Sequence, residues 1–375
     1  MNDLVGKIAS VRANLREEYL AQHSWPWVVG FSGGKDSTLL AHFVVEMLKQ
    51  IAPDDRKRPI TFLSNNTLVE SPIFQEYVDR QLEVLRENLG ALKLPILVIQ
   101  THPDLKGTFW FNLIGKGYPA PSPSFRWCTN HMKVKPTARF LQLQADHYGG
   151  AVLLLGIRRS ESSQRAKTIA HHESKHSGGN VRLTPHTDVA DCHIFAPIKE
   201  FTTEEVWALL LQLRPPWGGS YRELIAMYRD AHTGECPFVV SESDNASCGT
   251  SNARFGCWTC TVVRKDRALD ALAESREDES LEKLAAFRIR IKHISDDPEQ
   301  RSLVRRNGRR GLGPLTLEAR KTILEELLKL QSEVNKQLIS EEELHLIRTQ
   351  WRTDETTDLV RSLTKVPTPM ALANP

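Results

Sequence analysis

Apolar positions fall along this chain in two periods. Residues 28–31, 59–64, 95–99 and 151–156 are short, nearly continuous apolar runs bounded by Gly, Pro or Asn, the pattern of strands buried on both faces. Between them the spacing lengthens to that of helices. Leu39, Leu40, Phe43, Val44, Met47 and Leu48 recur after the first run, and Phe74, Val78, Leu82 and Leu85 follow Pro72 after the second. Residues 1–22 read as an amphipathic helix leading into the first strand. Thr202 with Glu205 caps a helix carrying Val206, Leu209, Leu210 and Leu213. From Asp266 onward the period is helical throughout, through Leu281, Leu284, Phe287 and Ile291, then Ile323, Leu324, Leu327 and Leu330. Ser340 and Glu343 form a capping box for one more helix toward Trp351. Strands alternating with helices predict an α/β fold: a mostly parallel sheet with helices on both faces, plus a helical carboxyl-terminal region. The expected division is 1–230, a cysteine segment 231–265, helices over 266–364 and a flexible tail 365–375. No internal repeat is visible.

Bulk composition changes this picture little. The 375 residues carry a net charge of only +3, too small by itself to argue for nucleic acid. No apolar run is long enough to span a membrane, and the charged amino terminus does not read as a signal peptide. The expectation is a cytoplasmic protein with no membrane partner. Six cysteines in such a chain point to metal or catalytic use and not to a disulfide framework.

The most chemically loaded stretch directly follows the first strand: Ser32-Gly33-Gly34-Lys35-Asp36-Ser37-Thr38. A strand, a glycine turn and a helix N-terminus make an anion cradle, because glycine allows close backbone approach and the first-turn N–H groups aim at the bound charge. Ser32, Ser37 and Thr38 add hydroxyls, Lys35 a cation, and Asp36 a carboxylate suited to Mg²⁺. The glycine spacing is not that of a Walker A loop. The run resembles the pyrophosphate (PP) loop of the ATP pyrophosphatase superfamily, which implies ATP cleaved between its α and β phosphates.

Ligands of parallel sheets collect at the carboxyl ends of the strands. That rule places 32–38, 65–70, His102 onward and 156–165 around one pocket. Gly156, Arg158 and Arg165 follow the fourth strand, where arginine offers planar multi-donor contacts to phosphate. The segment 125–136, with Arg126, Cys128, Lys133, Lys135 and Pro136, resembles the phosphoadenylylsulfate reductase branch of the superfamily. The resemblance implies phosphate- or substrate-facing roles for Arg126, Lys133 and Lys135, and catalytic roles for Lys35, Asp36, Arg126 and Arg158. Five histidines between 171 and 193 have irregular spacing and read as an exposed loop.

Cys236, Cys248, Cys257 and Cys260 follow the spacing C-x11-C-x8-C-x2-C. Four thiolates satisfy zinc or an iron–sulfur cluster equally, and spacing does not choose between them. A redox dithiol at Cys257 and Cys260 is a third reading. Taken with the loop and the two basic segments, the run 247–263 resembles the DndC and SspD type of DNA phosphorothioation proteins, over about 27–263. The resemblance implies a [4Fe–4S] cluster on Cys248, Cys257 and Cys260, with Cys128 or alternatively Cys236 as fourth ligand. It also implies DNA as acceptor, a cysteine desulfurase as sulfur donor, and partners of the DndD/DndE or SspB/SspC type. Rival readings are a sulfonucleotide reductase, a tRNA thiolase and a non-enzymatic ATP-sensing scaffold. Arg288, Arg290, Lys292, Arg301, Arg305, Arg306, Arg309 and Arg310 make the strongest local basic patch, a candidate contact for a nucleic acid backbone.

Overall fold

The computed structural model describes residues 2–161, 182–231 and 255–364. Arg165, Cys236, Cys248, three of the five histidines and the expected tail lie outside the described residues.

Six strands form one sheet in the order β3-β2-β1-β4-β6-β5. The expected four run side by side from one edge of it: β1 (Trp27–Gly30), β2 (Ile60–Asn65), β3 (Ile96–Thr101) and β4 (Ala151–Leu154), all parallel, with β3 outermost. β6 (Cys192–Phe195) continues the parallel order beside β4, and β5 (Leu183–Pro185) closes the edge antiparallel. These last two correct the expectation of a histidine loop. His193 sits in β6 with its ring stacked on Trp25 at 4.8 Å, and half of such a short, polar edge pair carries no apolar period to read.

Successive side chains of β1 point to opposite faces, and this alternation sorts the packing. Trp27 and Val29 join Phe62 in the larger core, while Val28 joins Leu63 and Leu153 in a second one. Helices α1 (Asn2–Tyr19), α2 (Lys35–Gln50) and α3 (Pro72–Ala91) cover the first face. The second is covered by α4 (Lys135–Tyr148), through Leu141 and Ala145. α4 continues a short helix at Trp127–Thr129 that widens to a π-turn over Asn130–Val134, just before Pro136, which has no N–H to close the preceding turn. Then follow α5 (Thr203–Gln212), with the full Thr202–Glu205 capping box, and α6 (Arg222–Asp230).

The carboxyl-terminal helices α7 (Arg267–Arg276), α8 (Glu279–Asp296), α9 (Leu317–Val334) and α10 (Glu341–Thr364) add their apolar faces to the same larger core. They clasp a buried π-helical turn at Phe111–Gly115. Trp110 Nε1 donates to the Leu338 carbonyl at 2.7 Å, and Arg320 Nη1 to that of Gly115 at 2.6 Å. The Ser340 box is only half closed: Ser340 Oγ accepts from Glu343 N–H, but the Glu343 carboxylate accepts from Phe111 N–H at 3.0 Å.

Behind the first turn of α2, buried His42 meets the Tyr221 hydroxyl at 2.8 Å, and burial pushes its pKa down to about 4. Its folded pKa lies below its unfolded one, so the contribution is intact at neutral pH and is lost as pH falls toward 4. Thermal unfolding between pH 7 and pH 4 should show wild type losing stability faster than His42→Gln, by on the order of 1–3 kcal/mol. Parallel pH curves would remove His42 from that role.

Candidate active site

Gly30 ends β1, and the chain then turns through Gly33, at φ +74°, into α2. A Cβ on Gly33 would stand 2.8 Å from Val78 Cγ2, so both the angle and the space require glycine there. Gly34 is the N-cap residue and provides no side-chain cap, leaving the helix start to backbone and ligand. The loop is tied within itself. Ser37 Oγ donates to the Gly34 carbonyl at 2.9 Å, accepts from Ser32 N–H at 3.2 Å and lies 3.1 Å from Ser32 Oγ. From outside, the Tyr77 hydroxyl donates to the Gly33 carbonyl at 3.2 Å.

Over the loop lies a cavity of about 390 Å³. Ser32, Gly34, Lys35, Asp36, Ser37 and Gly156 line it, opposite Asn65, Glu70 and Lys133. Six of the expected nucleotide-binding residues thus share one wall. Gly33 and Thr38 do not reach it, because Gly33 packs on α3 and the Thr38 hydroxyl is buried without a hydrogen-bond partner among the described residues. Lys35 is 5% exposed, with Nζ 3.3 Å from Asp36 Oδ2 and 5.5 Å from the Tyr228 ring centre.

Arg158 departs from its expected place. It is fully buried, and its Nε donates to Asp36 Oδ1 at 2.7 Å while Nη1 reaches Ser160 Oγ at 2.8 Å and Thr203 Oγ1 at 3.1 Å. Its guanidinium holds the Asp36 carboxylate from behind the loop and does not line the cavity. Arg126 also lies away from it, exposed at the start of the short helix, where nothing among the described residues fixes its side chain toward the loop. His102 lines a different cavity with Lys135, so the expected single pocket is two.

Sequence reasoning missed Glu70 as a link between the loop and the cysteines. Glu70 accepts from Thr67 Oγ1 at 3.0 Å and pairs with Lys133 Nζ at 3.2 Å. It also forms a β-bridge with Cys257, whose Sγ lies 3.3 Å from Thr67 Oγ1. Further backbone bonds clip the two segments together, from Trp258 N–H to the Val69 carbonyl at 3.0 Å and from Ser71 N–H to that of Gly256 at 3.2 Å. Phe255 lines the cavity and stacks on Phe74 at 4.7 Å. From the other side, Arg288 Nη1 donates to the carbonyls of Cys260 at 3.0 Å and Val263 at 3.3 Å. That removes Arg288 from the expected basic patch. Arg290 pairs with Glu326, Lys292 with Asp296, and Arg301 bonds two backbone carbonyls. The patch is therefore largely structural at those four positions; Arg305, Arg306, Arg309 and Arg310 remain exposed.

Cys128 and Cys257 lie close to Lys133, and Cys260 lies close to both of those thiols. Burial alone would lower the Lys133 pKa, but the charges of Glu70, Cys257 and Cys128 outweigh it and hold it raised. Burial also raises Cys128 and Cys257, with Cys260 adding to each. No three His, Cys, Asp or Glu side chains among the described residues stand together as a site for one metal ion. A four-iron cluster separates its thiolates more widely than a single ion does, and three soft donors around one cationic residue fit it chemically. The remaining donors, Cys248 and Cys236, lie outside the described residues. Asp36 is the one carboxylate of the loop itself and is held between Arg158 and Lys35, which fits an ion carried mainly by substrate phosphates. Cys192 is buried in β6, its thiol pushed up to about 11 by burial.

The family described as the phosphoadenosine phosphosulfate reductase domain matches residues 26–263. An uncharacterized protein of Methanocaldococcus jannaschii is 24% identical over 199 residues, covering 53% of this chain and 34% of its own; the chain thus spans about a third of that relative. Among solved structures, a phosphoadenylyl-sulfate reductase from Candida auris in a phosphate complex is similar at 12% identity and TM-score 0.32, over 53% of this chain and 77% of that one. The U34-tRNA thiolase NcsA of Methanococcus maripaludis with its [4Fe–4S] cluster is similar at 12% identity and TM-score 0.35, over 76% and 80%. No helix among the described residues is long and apolar enough to cross a membrane.

Proposed function

We propose, from the premise that this chain belongs to the phosphoadenosine phosphosulfate reductase domain family, that it is an ATP pyrophosphatase and sulfurtransferase acting in DNA backbone phosphorothioation. The observation that carries the reading is the Lys133–Glu70 pair, which lines the loop cavity on one side and touches the cysteine turn on the other. The anion cradle lines that cavity, and Glu70 on its opposite wall is bridged to the cysteine turn, as sulfur delivery to an activated phosphate requires.

A phosphodiester oxygen is a poor leaving group, so replacing it with sulfur needs prior activation. In the proposed course a non-bridging DNA phosphate oxygen attacks the ATP α-phosphorus. The bond to the β-phosphate oxygen breaks, and pyrophosphate leaves with the electron pair. The helix start at Gly34–Lys35 and the Lys35 ammonium stabilise the charge that develops there. Mg²⁺ bound to the phosphates and Asp36 would add charge neutralisation. Sulfide then attacks the activated DNA phosphorus, and AMP leaves carrying the original oxygen. Lys133 beside the thiols is placed to hold an anionic sulfur species near the cavity. An iron–sulfur cluster on Cys248, Cys257 and Cys260, with Cys128 or alternatively Cys236 as fourth ligand, would supply sulfur-binding or redox capacity.

Labelled-sulfur incorporation and pyrophosphate release, with DNA, tRNA and a sulfonucleotide offered separately beside a cysteine desulfurase, test this directly. DNA should raise pyrophosphate release and take up label. Release unchanged by DNA and sulfur donor, or label entering tRNA or leaving the sulfonucleotide as sulfite, overturns it. Anaerobic iron and sulfide quantitation of Cys128→Ala and Cys236→Ala tests the ligand set. One variant should lose the cluster; retention of a full cluster by both sinks the four-cysteine assignment.

A further inference from the structure

A second cavity of about 380 Å³ opens where β3 ends, against the start of α4. Lys106, Lys116, Lys135 and Arg139 line it, with a single carboxylate, Asp104, already paired to Arg139 at 3.3 Å. Cations so gathered repel one another. Burial lowers the Lys116 pKa, and Arg306, Lys135 and Lys106 lower it further. Nothing in the ATP chemistry of the loop uses this surplus.

The cationic surface does not stop at the cavity. Arg306, on the exposed loop before α9, donates to the Lys116 carbonyl and lies 5.0 Å over the Tyr118 ring. Arg305, Arg309 and Arg310 follow on the same exposed loop. Tyr118 meets Phe125, itself 44% exposed, at 6.0 Å. An open track of cations with aromatic rings beside it suits a charged polymer with stackable bases better than a small anion.

Only a thin wall separates the two cavities. Asn65 lines the loop cavity and donates to Thr137 Oγ1 at 2.9 Å, and it accepts from Thr101, which lines the second cavity. The helix crossing that wall gives Lys133 to the first cavity and Lys135 to the second. We infer that the second cavity and the Arg306 loop form a docking track for nucleic acid phosphates, holding the strand beside the reactive phosphate. This rests on the proposed nucleic acid acceptor and adds where the strand lies.

The test uses the full chain with labelled single-stranded and duplex DNA, measuring anisotropy across a salt series. Lys106→Gln with Arg139→Gln removes two exposed cations of the cavity, and Lys321→Gln with Lys329→Gln on α9 removes two elsewhere. The cavity double variant should bind DNA about tenfold or more weakly, with a salt slope smaller by about 1–2, while its affinity for an ATP analogue is unchanged. The α9 variant should behave as wild type. Equal losses in both double variants, or unchanged DNA affinity in the cavity variant, overturn the track while leaving the acceptor reading intact. Wild type that binds no DNA overturns the acceptor reading and the track together.

Discussion

Replacing Arg158 with methionine should reduce ATP-dependent pyrophosphate release by about a hundredfold or more, although Arg158 lies outside the loop cavity. Its Nε is 2.7 Å from Asp36 Oδ1, and the side chain is 1% exposed against 15% for Asp36. Without it, Asp36 keeps, among the described residues, the Lys35 ammonium at 3.3 Å, and the carboxylate is free to swing away from the position the helix start sets for it. An uncompensated charge in a buried pair costs about 3–5 kcal/mol, so the same variant should also unfold at lower temperature. The two effects separate in the double variant Arg158→Met, Asp36→Asn. Removing both charges should restore much of the stability and none of the activity. Full pyrophosphate release by Arg158→Met would show that Asp36 needs no such holding.

That result bears on how far the sequence reached. The pattern of short apolar runs located four sheet strands: β1, β2 and β4 because a strand buried on both faces leaves a continuous apolar mark, and the half-exposed β3 through its own run of aliphatic residues. The glycine turn and its helix were legible for the same reason: each residue there satisfies a local geometric demand. Arg158 was visible as a cation after the fourth strand, but its direction was not. Whether an arginine faces ligand or carboxylate is decided by its neighbour Ser160 and by Thr203, which the fold brings to it from another segment. Glu70 was hidden more deeply, since its value lies in a bridge to Cys257 that spans half of the chain. The basic patch failed for a related reason. Charge counted along a sequence does not show that Arg288 is consumed by the carbonyls of the cysteine turn or Arg290 by Glu326. The edge strand β5 and its neighbour β6 left no mark because polar or proline positions such as Thr184, Pro185 and His193 interrupt their apolar residues.

Gly156→Ala should be the second severe substitution, and it isolates geometry from charge. The expectation from sequence was that Gly156 meets nucleotide, and it does line the cavity. The structure adds a stricter reason for glycine. A Cβ there would stand 2.8 Å from the Asp36 carbonyl oxygen, 2.9 Å from its carbon and 3.1 Å from the Ser37 nitrogen. All three atoms are backbone in the first turn of α2, so no flexible side chain can give way. Relief requires moving either β4 or the helix start, at about 1–3 kcal/mol for a clash of this kind. A shift of the helix start displaces the N–H groups, Ser37 and Asp36 together. The expected outcome is a modest fall in melting temperature with a loss of about a hundredfold in pyrophosphate release, since small misplacements of a positioning group cost that much. Arg158 and Gly156 would then act on the same turn from the same strand end, one by charge and one by the absence of a side chain. Wild-type release from Gly156→Ala would mean that the turn tolerates displacement, and the loop would have to be positioned from the α3 side, through Tyr77 and Val78, instead.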